Sequence, residues 1–328
     1  MLSGVVLSMA IATTGRAAPD SSAPGREAQA TIPTWLFPTF PPTVGAPPPL
    51  DAVTPVHVPG SRLSYTEAQL ADRFSAPDWF PESHSAMPES VANGRRPAVN
   101  ACGYCHTPSG QGRPENATLA GLPASYIVEQ VADFQSGARR SAYPGRYLPT
   151  ELMIDLASKA TAAEVSAAAE YFSQQRPTRR VHILERRRVP QSHVVGLVYA
   201  AIPGGAEELL GERVLEFAPD PARHEARDDR MEYVAYVPRG SVKRGRAIAR
   251  AGAGRVLACV GCHGERLQGV GSVPRIAGRY PGYLIRQLIA FQTGARAGIT
   301  GQPMLPVVAE LPMNDMIAVA AYAASLDP

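Results

Sequence analysis

Cysteine is scarce in this chain of 328 residues: there are four, too few to staple a domain of this size with disulfides. Lysine is scarcer still. Only Lys159 and Lys243 occur among the 32 cationic residues, and the formal net charge of +3 is too small to point to a nucleic-acid partner. Long apolar runs are missing beyond the first dozen residues, so no later segment has the length and apolarity of a membrane span. With 45% hydrophobic and 19% charged residues, the composition excludes a disordered chain, and the length admits two domains with sizeable cores.

The N-terminus reads as an export signal covering residues 1–18. A short apolar stretch from Leu2 is followed by the small residues Gly15 and Ala17, although no cation precedes it. Residues 19–60 are rich in Pro, Ala, Ser and Thr. Pro41-Pro42 and Pro47-Pro48-Pro49 exclude regular helix, so an extended arm is expected, anchored by Trp35, Leu36 and Phe37. Ser64 and Glu67 have the spacing of a helix-start capping box.

All four cysteines fall in two copies of one motif, Cys102-Gly-Tyr-Cys105-His106 and Cys259-Val-Gly-Cys262-His263. Cys-x-x-Cys-His is the spacing of covalent c-type haem attachment: two thiols bond the haem vinyl groups, and the histidine ligates the iron. A single copy also suits a thiol–disulfide site or half a zinc site. Two copies that leave no cysteine over favour two covalent haems c, each with its iron.

Counting from each histidine reveals a repeat. Ala120-Gly121 matches Ala277-Gly278, Tyr126 matches Tyr283, and Gln130 matches Gln287. Phe134-Gln-Ser-Gly-Ala-Arg139 matches Phe291-Gln-Thr-Gly-Ala-Arg296. The first copy then carries six extra residues before Met153 pairs with Met304, and each methionine precedes a tyrosine, Tyr171 or Tyr322, by 18 positions. Helices are expected over 126–137 and 283–294, each stopping at a glycine, and over 162–174 and 314–326. The soft thioethers of Met153 and Met304 are the candidate sixth iron ligands; for a methionine, filling space in a core is the plainer role. Met87, Met231, Met313 and Met316 have no repeat partner in this role, nor do His57, His84, His182, His193 and His224. Arg139 and Arg296 suit haem propionates, and equally the C-terminal end of a helix dipole. No residue is assigned a catalytic role.

Between the copies, 181–184, 193–199 and 213–217 read as short strands. The expected organisation is a signal over 1–18, the arm over 19–60, one haem unit over 61–176, a strand-bearing connector over 177–242 and a second haem unit over 243–328. The fold class is mainly α, with a small β-containing middle segment.

The two Cys-x-x-Cys-His motifs, the Ala-Gly fourteen residues on, the late methionine and the final alanine-rich helix with its tyrosine together resemble the tandem dihaem class I cytochromes c. The resemblance covers about 90–175 and 245–327. It implies one helical domain around each haem, with histidine and methionine as axial ligands. It also implies a proline before the Ala-Gly whose carbonyl orients the ligating histidine. Pro274 matches that position; the first copy has Ala117 there, with Pro114 three residues earlier. The expected function is a periplasmic electron carrier without enzymatic activity. It would pass single electrons from a dehydrogenase or a quinol-oxidising complex toward a terminal oxidase, with peripheral membrane association as an option and no nucleic-acid partner. The arginines over 176–188 offer a docking patch for an acidic partner. Alternatives are a dihaem redox enzyme, peroxidase-like or thiosulfate-oxidising, and a fixed electron-transfer subunit of a dehydrogenase complex.

Overall fold

The computed structural model describes residues 32–40, 49–254 and 256–328, so the expected signal and part of the arm lie outside the described residues. From Ile32 onward these residues form one compact unit, mainly helical with a small sheet. Two short helices come first, α1 (Glu67–Ala71) and α2 (Glu89–Ala92). The capping box of α1 is formed by Thr66 and Gln69 rather than Ser64 and Glu67, because the chain turns helical only after Thr66. The first motif is itself a helical turn, α3 (Cys102–His106). It is followed by α4 (Ala124–Ser136), α5 (Leu148–Lys159) and α6 (Ala162–Ser173). Helix α4 ends where Gly137 takes φ 75°, a left-handed conformation that a Cβ would strain. Helix α6 starts at a second capping box, Thr161 with Glu164. Val91, Leu122, Ile127, Ala169 and Phe172 form the core of this half.

The connector holds seven strands and one short helix. In chain order they are β1 (Val181–Glu185), β2 (Arg188–Pro190), β3 (Ser192–Val195), β4 (Val198–Ala201), β5 (Glu207–Leu209), β6 (Leu215–Phe217), α7 (Pro221–Glu225) and β7 (Tyr233–Val237). The expected strand over 193–199 is broken by a tight hairpin turn at Gly196-Leu197, both at positive φ. Five strands form one sheet in the order β1-β7-β6-β4-β3, and β2 pairs with β5 apart from it. The first and last strands of the connector, β1 and β7, pair in parallel with Glu185 beside Val237. The end of the first half is thereby set against the start of the second. Glu185 goes further: its carboxylate accepts the Val242 N–H at 2.9 Å, giving the next helix a negative cap at its positive end.

That helix is α8 (Ser241–Ala251). After it come α9 (Val260–His263), α10 (Pro281–Gln292), a 3-10 turn over Ile299–Met304, α11 (Leu305–Val308) and α12 (Met313–Ser325). Helices α8 and α12 pack closely at Gly245, where any Cβ would collide with the Ala318 carbonyl. Ile285, Met316, Ile317 and Ala321 belong to the large core of this half, which runs on through Val181 and Ala235 of the sheet to Leu36 and Phe37 of the arm. Phe37 lies stacked on Tyr143 and edge-on to Tyr147, with ring centroids 4.9 and 5.1 Å away. Among the described residues no single helix is long and apolar enough to cross a membrane.

Candidate haem sites

His106 closes the single turn of α3, and its Nδ1 stands 2.8 Å from the Ala117 carbonyl oxygen. A carbonyl only accepts, so Nδ1 carries the proton and the Nε2 lone pair is left free for a metal. Eleven residues after its own histidine, Pro274 repeats the contact: its carbonyl oxygen is 2.8 Å from Nδ1 of His263. Burial lowers the pKa of both imidazoles, which favours the neutral, ligating form. The proline missing from the first copy therefore does not cost His106 its acceptor.

A cavity of about 350 Å3 opens beside His106, within the ~300–1,000 Å3 range of small-molecule sites. Cys102, Cys105, His106 and Met153 all line it, so the structure brings the first set of sequence-predicted residues to one space. Phe172 sets its ring edge-on to His106, and Tyr126 and Phe134 add aromatic wall. Met153 lies within α5, whereas Met304 ends a 3-10 turn. The repeat thus places its two methionines in different local backbone, next to the six-residue difference between the copies.

Burial pushes the Cys102 thiol up to about 12 and raises Cys105 and Cys259 as well. A thiol–disulfide site needs the opposite shift, toward thiolate. Nor do three or more His, Cys, Asp or Glu side chains converge as a metal cage among the described residues.

Arg139 and Arg296 face each other across the junction of the two halves. Arg139 donates to Gln130 at 2.9 Å, to Tyr283 at 3.1 Å and to Gln287 at 2.8 Å. Arg296 returns the pattern, donating to Gln287 at 3.2 Å, to Tyr126 at 2.8 Å and to Gln130 at 2.7 Å. The backbones close a matching pair of bonds, Arg140 N–H to the Ala295 carbonyl and Ala297 N–H to that of Ala138, both at 2.7 Å. Repeated residues thus meet their own counterparts about a local two-fold axis. Neither the dipole nor the propionate reading of the two arginines anticipates this arrangement. The signal available was the recurrence of Tyr, Gln and Arg in otherwise apolar helices.

Those guanidinium groups are short of anions. Arg139, Arg275, Arg279, Arg286 and Arg296 are all buried, and none makes an ion pair among the described residues. Among the described residues, Nε of Arg275 and of Arg279 has no hydrogen-bond partner. Buried cations without carboxylates are costly. An apolar cavity edged by two cysteines and by buried guanidinium groups outside any close ion pair (Arg139, Arg279 and Arg286 all line it) suits a flat apolar cofactor that carries carboxylates. The residues present therefore fit a haem.

No protein-family model matches the chain. A cytochrome c-554(548) of Halomonas halodenitrificans is 33% identical over 78 residues, which are 94% of that protein and 24% of this chain. The chain belongs to the cytochromes c, with homology over most of its length to the dihaem cytochromes c4. This cytochrome is 24% identical to a cytochrome c4 of Azotobacter vinelandii over 73% of its own length and 90% of the relative's. It is 27% identical to a "thiosulfate dehydrogenase electron acceptor" of Thiomonas intermedia over 62% of its own length and 67% of the relative's. Among solved structures, a thiosulfate dehydrogenase (TsdBA) from Marichromatium purpuratum aligns with a TM-score of 0.47 at 26% identity, over 72% of this chain and 38% of the longer one.

The connector contributes residues that the sequence did not single out. His224 is fully buried, with the Arg113 guanidinium 2.7 Å from its Nε2 and the Tyr233 hydroxyl 2.9 Å from its Nδ1. Burial, then Arg113, pull its pKa down to about 2, so it is neutral. Arg227 lies 3.6 Å above the ring of Tyr104, inside the first motif, and donates to the Tyr104 carbonyl at 3.1 Å.

Proposed function

We propose that this cytochrome carries two haems c and passes single electrons between redox proteins. In this reading Cys102 and Cys105 hold the first haem and Cys259 and Cys262 the second. His106 and Met153 ligate one iron, and His263 and Met304 the other. The observation that carries the reading is the repeated delivery of a backbone carbonyl, at one distance and one spacing, to both histidines. When bound, each haem supplies a one-electron couple. The chain's own task is to orient the imidazole, exclude water with Phe172 and its neighbours, and meet the propionates with buried arginines. The methionine thioethers raise the potential by favouring the reduced iron.

One relative's name suggests the donor, a thiosulfate dehydrogenase; a comparable dehydrogenase as donor and a terminal oxidase downstream belong to the same reading. Covalent haem attachment and the apolar N-terminus suit the periplasm. The domain limits given above belong to the same proposal. A carrier with two six-coordinate irons does no substrate chemistry, which separates this reading from the dihaem enzymes.

The test is the absorption spectrum of the dithionite-reduced holoprotein before and after carbon monoxide. An unchanged spectrum is expected, and Met304→Ala and Met153→Ala should each make one haem bind the gas. Carbon monoxide binding by the unsubstituted protein would mean an open iron position, and the enzyme reading would take its place.

A further inference from the structure

The two attachment loops, matched residue by residue, differ in what covers them. In the first, Tyr104 is 5% exposed and Arg113 also 5%. Their counterparts in the second loop are Gly261, which is exposed, and Val270, which is 58% exposed. Cys105 is partly covered, whereas its counterpart Cys262 is exposed. Asn100, six residues before His106, is partly buried; Leu257, six before His263, is 60% exposed.

The cover on the first loop has named sources. A Cβ at Gly103 would meet Ala76 and the Val91 backbone, 3.0 and 2.9 Å away, so the segment before the motif lies directly on it. The connector adds Arg227 on Tyr104 and His224 on Arg113. A Cβ at Gly261 would meet nothing within 4 Å. Among the described residues, the second half supplies no comparable lid over its own loop.

Charge completes the contrast. Residues 239–275 contain eight Arg and Lys and one acidic residue, Glu265. Arg239, Lys243, Arg246, Arg250 and Arg266 are exposed, whereas Arg244, also exposed, is paired with Asp315. Glu265 is already paired with Arg250, a contact that also fixes the end of α8 beside the open loop. A surface with apolar Leu257 and Val270 near the redox centre and a cationic margin is complementary to an acidic one.

We propose that the face around residues 257–270 is the docking surface for a redox protein with an acidic face, and that electrons cross there rather than at the covered loop around residues 102–106. This rests on the dihaem carrier reading. At each encounter one partner loses one electron and the other gains it, with no bond made or broken. The first haem then exchanges electrons with the outside through the second, across the junction of Arg139 and Arg296.

The test uses the full-length holoprotein with two anionic probes. Hexacyanochromate(III), inert and paramagnetic, should broaden the amide resonances of Gly261, Val270 and Arg266, and leave those of Gly103 and Tyr104 sharp. In stopped-flow oxidation of the reduced protein by hexacyanoferrate(III) at low ionic strength, Arg266→Glu with Arg250→Glu should slow the reaction about fivefold or more, a gap that closes in high salt. Arg187→Glu, in the rival cationic stretch of the connector, should change the rate less than twofold. Broadening centred on Gly103 and Tyr104 or on residues 186–188, or a greater loss from Arg187→Glu, would overturn the proposal. So would a concentration-dependent mass in sedimentation that Arg266→Glu abolishes, which would make the face a contact between copies of this chain. The broadening arm needs no redox turnover, so failure of the carrier reading would leave the surface measurement standing.

Discussion

The Ala117 carbonyl oxygen lies 2.8 Å from Nδ1 of His106, the distance at which Pro274 serves His263. An alanine and a proline thus present the same acceptor, since the proline ring contributes no atom to the contact. What proline adds is restriction of the unfolded chain, worth about 0.4–1 kcal/mol where its conformation is already native. Pro274→Ala should therefore lower stability by that amount in denaturant unfolding of the holoprotein, and leave the reduced spectrum of both haems unchanged. A lost methionine–iron signature would show that the ring itself, and not only its carbonyl, holds the second site.

Arg139 and Arg296 share both of their amide acceptors, Gln130 and Gln287. Each guanidinium hydrogen bond to a neutral partner in a buried site is worth about 1.5–3 kcal/mol, while the like charge opposite pushes back: burial and then Arg296 lower the pKa of Arg139. Arg139→Met and Arg296→Met should each destabilise the protein by about 2–4 kcal/mol. The double variant should lose less than the sum, because the second substitution removes a repelled cation. A double-mutant cycle in urea should give a coupling above about 0.5 kcal/mol; strict additivity would show that the two arginines act independently.

The haem units were legible because their signals are local. The Cys-x-x-Cys-His spacing, the helix-ending Gly137 and the helix-forming stretch of α12 each act within a turn or two of chain. The lines of the connector were legible in part: 181–184 and 213–217 overlap strands, but β7 (Tyr233–Val237) went unread, and so did α8, in which four of eleven residues are cationic. Such elements acquire their apolar face only against distant partners, Val181 for Tyr233 and Ala318 for Gly245. The Tyr-Gln-Arg recurrence was visible in sequence, but its meaning was not, because two-fold apposition of the repeats is a property of the folded pair. His224 and Arg227 carry no motif at all; their place on the first loop depends on how the connector folds back.

Gly245 sits inside α8, where alanine normally helps a helix by about 1 kcal/mol. Here a methyl group would drive into the Ala318 carbonyl and stand 2.8 Å from Cβ of Tyr322 on α12. Neither obstacle is a flexible side-chain end. Gly245→Ala should thus destabilise the protein despite better helix propensity, by about 2 kcal/mol or more, seen as a lowered Tm. An unchanged or raised Tm would mean that α8 and α12 have room to separate.

Glu216 of β6 is buried beside the start of α10, where its carboxylate accepts the Gly282 N–H at 3.0 Å. Burial raises its pKa from 4.5 to about 7, against the opposing pull of Arg286 and of that hydrogen bond. A carboxyl whose folded pKa lies above its unfolded value holds its proton more tightly when folded. Its contribution to stability is therefore complete below about pH 4.5 and is lost as pH rises through 7. A rise from 4.5 to about 7 corresponds to roughly 3 kcal/mol. His224 acts in the opposite sense over part of this range, since its folded pKa is depressed, so the unsubstituted protein shows only the sum. The difference between it and Glu216→Gln isolates the carboxyl: the variant should gain relative stability steadily between pH 4.5 and 7.5 in urea titrations. A pH-independent difference would mean that Glu216 stays ionised in the fold, with Arg286 and the α10 terminus outweighing its burial.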